Sequence, residues 1–558
     1  MHLELVFLWH MHQPDYRDHV SGEFVMPWVY LHALKDYSDM AAHLEQHPKI
    51  HAVVNFVPVL LDQIEDYCDQ FDSGIFRDPL LRLLAEPDME QVGATDRKLL
   101  LETCFRNNHT TMLAPFPHYQ RLHEVYSLIA RESEVALDYL SGAYFGDLVT
   151  WYHLVWCGES VRRQHPLPTQ LMSQGEGYSA DNRRQLLNLI GNVVKGIEPR
   201  YRALQEAGQI ELSATPGTHP LAPLLLDFQS ARESLPDTKL PAATAYPGGR
   251  SRVNTHIEAA LASHARRFGV VPVGLWPAEG ALSTAFVKQL ENSACRWTAS
   301  GEGVLKNSLK QHGINQMRAA YQPWQIAEAP GITLFFRDEK LSDLIGFEYA
   351  KWHGRDAARH FVGQLEAILA STAEGEKPLV SVILDGENAW EHYPYNGHYF
   401  FEDLYCILEE HPLIGTATYA EWLSRADKPA SAVLPGLVAG SWVYGTFSTW
   451  IGNADKNRAW DLLCAAKQSY DLVLGSGRLD AQETTAAEAQ LAICESSDWF
   501  WWFGDYNPAQ AVASFDLLYR RNLANLYRLL KLTPPVQLEM PLSRGSDQAK
   551  DGAMRRAT

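Results

Sequence analysis

The sequence predicts an α/β fold in which seven parallel strands form a (β/α)7 barrel, with a mainly helical insertion and a C-terminal helical domain. The first observation is that short apolar runs, each of the length of a buried strand, recur along the chain. The second is that helical patterns such as 254–268 and 355–369 separate most of these runs. Alternating strands and helices are typical of a parallel sheet with right-handed crossovers. The predicted strands are 3–9, 51–57, 209–214, 271–276, 296–299, 332–337 and 379–384.

The order of these patterns also predicts how the chain is divided. Residues 1–398 form the barrel, and a mainly helical stretch at about 60–198 interrupts it. This stretch is too long for one crossover, so we expect it to cap the barrel. Helical patterns dominate 399–542 and predict a C-terminal domain that completes a cleft over the barrel. The polar residues 543–558 predict a disordered tail.

Composition limits the class of protein. The chain has 558 residues, 46% of them hydrophobic, and its 16 Trp exceed what a core of this size needs. A formal net charge of −19 repels phosphate backbones and excludes nucleic acid as a partner. The 7 Cys are scattered without a CxxC pair, which indicates free thiols in a reducing compartment. No leader and no apolar stretch of membrane-spanning length is evident, so we predict a cytoplasmic enzyme with no membrane partner.

Two of the predicted strands end in an acid near a tryptophan. The fourth leads into Trp276 and Glu279, and the seventh leads into Asp385, Glu387 and Trp390. An α/β barrel builds its site from the C-terminal ends of its strands, and paired carboxylates act on glycosidic bonds. Glu279 can then be a nucleophile, and one acid of the second pair can be a general acid that its neighbour's charge keeps protonated. The alternatives are a Glu that favours a helix dipole and an Asp that forms a turn.

His10 and His12 close the first predicted strand and point the same way if that strand continues. Three interpretations stay open for this pair. The two rings can ligate a metal with a third residue, they can bind sugar hydroxyls, or they can be packed strand-end residues. No third ligand stands at a convincing spacing, so we predict that no metal takes part and that both rings belong to the floor of a sugar site.

Two further segments carry polar and aromatic side chains. Arg337, Asp338 and Asp343 follow the sixth predicted strand and can bind substrate or form a structural ion-pair cluster. The segments 440–452 and 495–504 are rich in Trp, and Trp rings stack on the apolar faces of pyranoses. The alternative is that about half of these rings pack helices together.

Together these residues resemble glycoside hydrolase family 57 over nearly the whole chain. His10–Pro14 resembles the N-terminal motif of the family, and 210–215 with His219 resembles its second region. Residues 276–279 resemble the nucleophile region, and 385–387 resemble the acid/base region. The segments 246–249, 336–347, 440–452 and 497–504 look like the amylopullulanase/α-amylase-type branch. Pro277-Ala278 replaces the Leu-Pro that many members carry before the Glu.

The resemblance implies a (β/α)7 barrel with a helical C-terminal region that acts on α-glucans with retention and without a metal or other cofactor. It implies Glu279 as nucleophile and Asp385 as general acid/base. The side chains that we expect to bind the glucan are His10, His12, Glu211, His219, Trp276, Arg337, Asp338, Asp343, Glu387, Trp390, Trp442, Trp450, Asp498 and Trp499.

The predicted function is a retaining glycoside hydrolase of the α-amylase/amylopullulanase type that acts on α-1,4 bonds of glycogen, starch or maltodextrins. If a sugar replaces water as acceptor, the protein is an α-glucan transferase, either a 4-α-glucanotransferase or a branching enzyme. A rival of another class is a metal-dependent carbohydrate deacetylase, for which His10 and His12 are the suggestive pair. A non-catalytic glucan-binding protein is the third alternative, and the intact Glu279 and Asp385 argue against it.

Overall fold

The computed structural model describes residues 2–132, 139–316 and 318–547. Seven parallel strands close into a barrel, because the last of them pairs with both the first and the strand before it. The prediction of a seven-stranded barrel is therefore confirmed. In their order around the barrel the strands are β1 (Leu3–Met11), β2 (Ala52–Phe56), β3 (Ile210–Ala214), β4 (Gly274–Leu275), β5 (Trp297–Gly301), β7 (Ala329–Arg337) and β8 (Leu379–Asp385).

The barrel strands are buried along nearly their whole length because helices cover the outside and side chains fill the inside. β2, β3 and β5 are buried at every position. β4 is much shorter than the predicted strand 271–276, since Val270, Val271 and Val273 are 55%, 45% and 38% exposed and lie in the loop that leads to it.

Three short strands extend the barrel sheet. β6 (Trp324–Ile326) pairs antiparallel with β7, and β10 (Ala432–Leu434) pairs with β6. β9 (Ile414–Thr416) pairs with β1. β9 and β10 follow residue 399, so the chain rejoins the barrel sheet twice after the predicted barrel. The domain boundary at 399 remains a prediction.

Most of the remaining described residues are helical. The helices between residues 58 and 206 coincide with the stretch predicted as a helical insertion. The helices are α1 (Trp28–His32), α2 (Ser38–Gln46), α3 (Pro58–Ser73), α4 (Pro79–Ala85), α5 (Ala94–Thr103), α6 (Pro117–Glu132), α7 (Gly142–Val155), α8 (Glu159–Gln164), α9 (Pro166–Gln174), α10 (Ala180–Glu206), α11 (Ala222–Leu226), α12 (Ala231–Ser234), α13 (Gly249–Phe268), α14 (Thr284–Leu290), α15 (Glu302–Gln311), α16 (Glu339–Asp343), α17 (Gly354–Ala370), α18 (His398–Glu410), α19 (Tyr419–Ser424), α20 (Ala454–Gly475), α21 (Ala481–Cys494), α22 (Asp498–Trp502) and α23 (Ala509–Leu529).

The C-terminal helices pack against one another, and buried hydrogen bonds connect them. α21 and α23 are in contact, and Tyr519 of α23 donates a hydrogen bond to the Ala459 carbonyl of α20 at 2.9 Å. The start of the predicted tail is ordered, because Ser543 is buried and its hydroxyl accepts from the Gly504 N–H. Most of that tail, 548–558, lies outside the described residues. Among the described helices, none is both long and apolar enough to cross a bilayer.

Candidate active site

A cavity of about 910 Å³ opens at the C-terminal ends of the barrel strands. Its walls come from β1 and β8, from the loops after β3 and β4, from the helical insertion and from the C-terminal region. The structure therefore brings together side chains that lie almost five hundred positions apart in sequence. The predicted site residues that line the cavity are His10, His12, His219, Glu279, Arg337, Asp385, Glu387, Trp442 and Asp498.

Asp385 is the last residue of β8 and lies directly beside His10 of β1 in the sheet register. One of its oxygens, Oδ2, accepts a hydrogen bond from Asn388 Nδ2 at 2.9 Å. Burial raises the pKa of Asp385 to about 6, although the Asn388 hydrogen bond and the charge of Arg337 both act to lower it. A carboxyl group with this pKa is partly protonated near neutral pH, as a general acid must be.

Glu279 stands in a tight turn after β4, Ala278–Gly280, in a left-handed backbone conformation with φ 58°. Two hydrogen bonds from one residue hold it there. The Trp442 indole Nε1–H donates to Glu279 Oε2 at 3.1 Å, and the Trp442 backbone N–H donates to the Glu279 carbonyl at 3.1 Å. An N–H donor stabilises an ionised carboxylate. His219 Nδ1 lies 4.0 Å from the other carboxylate oxygen, Oε1.

Glu387 is a third acid in the cavity wall and is 2% exposed. Its Oε1 accepts from the His12 backbone N–H at 3.1 Å and from Gln13 Nε2 at 3.3 Å. Burial and the charge of Asp385 raise the pKa of Glu387 well above its usual value. Ionisation of either carboxyl group therefore disfavours ionisation of the other, and the two titrate as a coupled pair.

A chain of hydrogen bonds fixes the tautomers of two buried histidines. His10 Nδ1 lies 2.6 Å from Asn55 Oδ1 and donates to it, so His10 Nε2 accepts from His219 Nε2 at 3.2 Å. His219 Nδ1 is then an acceptor, and the Ser497 hydroxyl donates to it at 2.9 Å. Burial lowers the pKa of His10 and of His12 to about 3 and that of His219 well below its usual value. All three rings are therefore neutral at physiological pH.

Asp498 brings the C-terminal region to this histidine group. Its Oδ1 lies 2.9 Å from His12 Nε2, and its Oδ2 accepts from the Ser496 hydroxyl at 2.5 Å. His12 Nε2 must carry the proton of this bond, so His12 Nδ1 is an acceptor. That nitrogen is buried and has no hydrogen-bond partner among the residues that the structure describes.

The same residues are the ones in the cavity that could hold a metal. Ligand atoms of His12, His219 and Asp498 lie within 4.8 Å of one another, and two imidazoles with a carboxylate are a donor set that zinc accepts. The sequence paired His10 with His12 and offered no third ligand, whereas the structure turns His10 towards Asn55 and supplies His219 and Asp498. The expectation that no metal takes part in catalysis stays a prediction.

Arg337 and Trp276 support the cavity wall. Arg337 Nε donates to the Ile383 carbonyl at 2.8 Å, and its guanidinium binds Asp343 Oδ1 at 2.9 Å and lies 5.6 Å from the Trp442 ring centroid. Trp276 is fully buried and packs edge to face against the Trp442 ring at 5.3 Å. Asp343 and Trp276 therefore act through Arg337 and Trp442, since neither lines the cavity.

Two predicted substrate-binding acids lie elsewhere. Glu211 is near the start of β3, inside the barrel, where it accepts from Trp297 Nε1 at 2.7 Å and from the Ala420 N–H at 2.8 Å. Burial raises its pKa to about 7. Asp338 caps the N-terminus of α16 by accepting from the Leu341 N–H at 2.7 Å. Both carboxyl groups are committed to structural partners.

Three predicted tryptophans are packed in the core. Trp390, Trp450 and Trp499 are at most 1% exposed. The indole N–H of Trp390 donates to the Gly386 carbonyl, and that of Trp499 donates to the Ile493 carbonyl, each at 2.9 Å. These rings stabilise the fold, and the exposed face that stacking on a sugar needs is missing. Of the predicted rings, Trp442 lines the cavity.

The sequence missed one wall of the cavity. Trp28 and His32 of α1 and Trp156 line it, with the two indole centroids 5.8 Å apart. His32 Nδ1 is paired with Asp36 at 2.6 Å, which leaves its other nitrogen for the cavity. The helical cap was predicted at about 60–198, which includes Trp156 but not α1, and no residue in it was identified as part of the site. Trp502 also lines the cavity, and it lies in the Trp-rich segment 495–504 that the sequence had indicated.

Comparison with known protein families and solved structures matches most of the chain. The family model described as glycosyl hydrolase family 57 matches residues 6–435. A branching enzyme of that family from Thermococcus kodakaraensis superimposes with a TM-score of 0.59 at 16% identity, covering 95% of this chain and 90% of that one.

Two other solved structures share the fold. An α-amylase from Thermotoga maritima has a TM-score of 0.55 at 14% identity, over 95% of this chain and 94% of its own. A 4-α-glucanotransferase from Thermococcus litoralis has a TM-score of 0.50 at 14% identity, over 94% of this chain and 60% of its own. No curated protein matches the chain.

Proposed function

The chain belongs to glycosyl hydrolase family 57, and from that premise we propose that it cleaves α-1,4 bonds of glucans with retention of configuration. Glu279 is the nucleophile and Asp385 the general acid and base. The observation that carries the proposal is that these two carboxyl groups line one cavity in different surroundings. Trp442 donates to Glu279, whereas burial raises the pKa of Asp385 to about 6.

These surroundings suit the two steps of a retaining reaction. In the first step Glu279 attacks the anomeric carbon while Asp385 gives its proton to the leaving oxygen, so the glycosidic bond breaks and a glycosyl ester forms on Glu279. In the second step Asp385 takes a proton from water, which attacks the ester and releases the sugar. The two carboxyl groups must stand about 5–5.5 Å apart for this chemistry. Neutral His12 would accept a hydrogen bond from a sugar hydroxyl, and the Glu387 carboxyl group, which also lines the cavity, would bind another.

A second candidate is transfer of the glycosyl group to another sugar. The specific observation is that Trp28, Trp156, Trp442 and Trp502 all line the cavity, with the Trp28 and Trp156 rings 5.8 Å apart. Several aromatic rings can hold an acceptor sugar and exclude water, which favours transfer over hydrolysis. The names of the three similar structures cover both outcomes, as branching enzyme, α-amylase and glucanotransferase.

Product analysis on amylose and maltoheptaose tests the proposal and separates the candidates. Hydrolysis gives only shorter sugars, 4-α-glucan transfer gives shorter and longer ones, and branching gives new α-1,6 bonds. NMR of the first-formed anomer tests the stereochemistry, and an initial β-anomer would refute a retaining mechanism. We further propose maltodextrins or a glycogen-like polymer in the cytoplasm as substrate. All seven cysteines are free thiols, which supports the reducing compartment.

A further inference from the structure

We propose that Glu495, which does not line the cavity, is a positioning residue for the reaction. It fixes the segment that carries Ser497 and Asp498 against the segment that carries His219. The inference rests on the proposed function, because it assigns a role in building the cavity described above. Glu495 directly follows α21 and is completely buried.

Both oxygens of the Glu495 carboxylate accept hydrogen bonds from side chains of the region that precedes β4. Oε1 accepts from the Tyr246 hydroxyl at 2.6 Å and from Arg252 Nε at 2.9 Å. Oε2 accepts from Arg252 Nη2 at 2.8 Å and from His256 Nε2 at 2.7 Å. Burial acts to raise the pKa of Glu495, but the bonds from His256 and Arg252 lower it to about 2. The group is therefore a fixed charge with all its acceptor sites in use.

The residues that follow Glu495 run directly into the cavity wall. Ser496 forms an antiparallel bridge with Pro220, and the Ser497 N–H donates to the His219 carbonyl at 2.9 Å. The Ser496 hydroxyl holds Asp498, and the Ser497 hydroxyl donates to the His219 ring. Only two residues, Ser496 and Ser497, thus separate the buried Glu495 from Asp498, whose carboxylate binds His12.

His256 connects the same anchor to the other segment. Its carbonyl accepts from the Gly217 N–H at 3.0 Å, two residues before His219. Gly217 passes so close that a Cβ atom there would lie 2.3 Å from His256 Nδ1. The ring of His256 holds Glu495 while its backbone holds the turn that ends in His219, so one carboxylate sets the spacing of both segments. A shift of either segment would move the His219 ring relative to Glu279.

The matched test compares Glu495→Gln with Glu488→Gln. Glu488 lies on α21, the helix that Glu495 directly follows, and binds the same Arg252 at 3.1 Å, but its side chain is 45% exposed and is not close in sequence to a cavity residue. With maltoheptaose as substrate, we expect Glu495→Gln to lower kcat by about 100-fold, the loss that a displacement near 1 Å brings. KM should change far less. Glu488→Gln should keep both constants near those of the unchanged protein.

Hydrogen exchange supplies a readout that needs no activity. In Glu495→Gln the amide protons of Gly217 and Ser497, which bond to His256 and His219, should exchange at least about tenfold faster at unchanged global stability. If Glu495→Gln does not fold, Tyr246→Phe replaces it. That variant removes one of the hydrogen bonds to Glu495 and keeps those from Arg252 and His256, so we expect kcat to fall by about fivefold with faster exchange of the same amides.

The two failures are distinguishable. No action of the unchanged protein on any α-glucan would count against the proposed function, while the exchange rates would still report on the anchor. Unchanged exchange in Glu495→Gln, or in Tyr246→Phe if it is the variant that folds, would overturn the positioning role. So would equal losses of kcat in the Glu495 and Glu488 variants.

Discussion

Asn388→Ala should move the alkaline limb of the activity profile to higher pH. Asp385 must be protonated to act as an acid, so kcat/KM falls as pH rises through its pKa, which is about 6. Asn388 Nδ2 donates to Asp385 Oδ2 at 2.9 Å and stabilises the ionised form. Without this donor the ionised form of Asp385 is less stable relative to the neutral form, so the pKa of Asp385 rises. Asp385 then remains protonated, and able to act as the acid, at higher pH.

The size of the shift follows from the strength of one hydrogen bond to a charged group. Such a bond contributes about 1.5–3 kcal/mol, and 1.36 kcal/mol equals one pKa unit. Asn388 is half-buried, so water replaces part of the lost bond and the lower end of the range applies. The alkaline limb should therefore move up by about one unit, from near 6 to near 7.

The assay is kcat/KM on maltoheptaose measured across the pH range, with Asn108→Ala as the matched control. Asn108 also lines the cavity, but its Nδ2 bonds His392 Nδ1 at 3.0 Å and not Asp385. The control should lose affinity without a displacement of the limb. A limb that stays near 6 in Asn388→Ala, or that moves to lower pH, would refute either the assignment of Asp385 as the acid or the role of this bond.

Three further groups of predictions concern the two catalytic carboxyl groups, the metal and the tryptophans. Asp385→Asn should lower kcat by about 10²–10⁴-fold, and Glu279→Gln should form no glycosyl-enzyme; a sugar ester trapped on that variant would contradict the assignment of Glu279. Treatment with a chelator should leave activity unchanged, because two carboxyl groups account for the chemistry; activity that is lost and then restored by zinc would point to a metal at His12, His219 and Asp498. Trp442→Phe should remove about 1.5–3 kcal/mol of transition-state stabilisation, because it loses the hydrogen bond to Glu279. Trp499→Ala should lower the free energy of unfolding by about 3–5 kcal/mol, because Trp499 is buried in the core. A stable Trp499→Ala protein with weakened glucan binding would contradict the assignment of Trp499 to the core.

Much of the barrel was predictable because buried parallel strands are continuous apolar runs. β1 and β8 were located to within two residues at each end from such runs. β4 was overestimated, because a valine-rich loop and a buried strand have the same composition when exposure is unknown. β9 and β10 have three residues each, too few to produce a periodic pattern.

The two acids of the site were predictable because Asp385 ends a strand and Glu279 lies in the turn after one, and the end of a strand has a fixed place in a barrel. The cluster of His12, His219 and Asp498 was not, since its members are joined by loops whose paths depend on packing. Glu211 is the opposite case, in which a residue predicted to belong to the site lies outside it. A motif identified it, but its position near the start of β3 places it inside the barrel, away from the cavity.

The closure of the barrel has a consequence for synthesis on the ribosome. β1 can pair with β2 soon after both are made, but its other edge waits for β8, about 370 residues later. At about 5–20 residues per second this interval is roughly 20–75 s. During that time a nine-residue strand, eight of whose residues end up buried, exposes unpaired backbone groups. The nascent chain is therefore most prone to aggregation before β8 is made, and a chaperone that covers β1 would raise the yield of the folded enzyme.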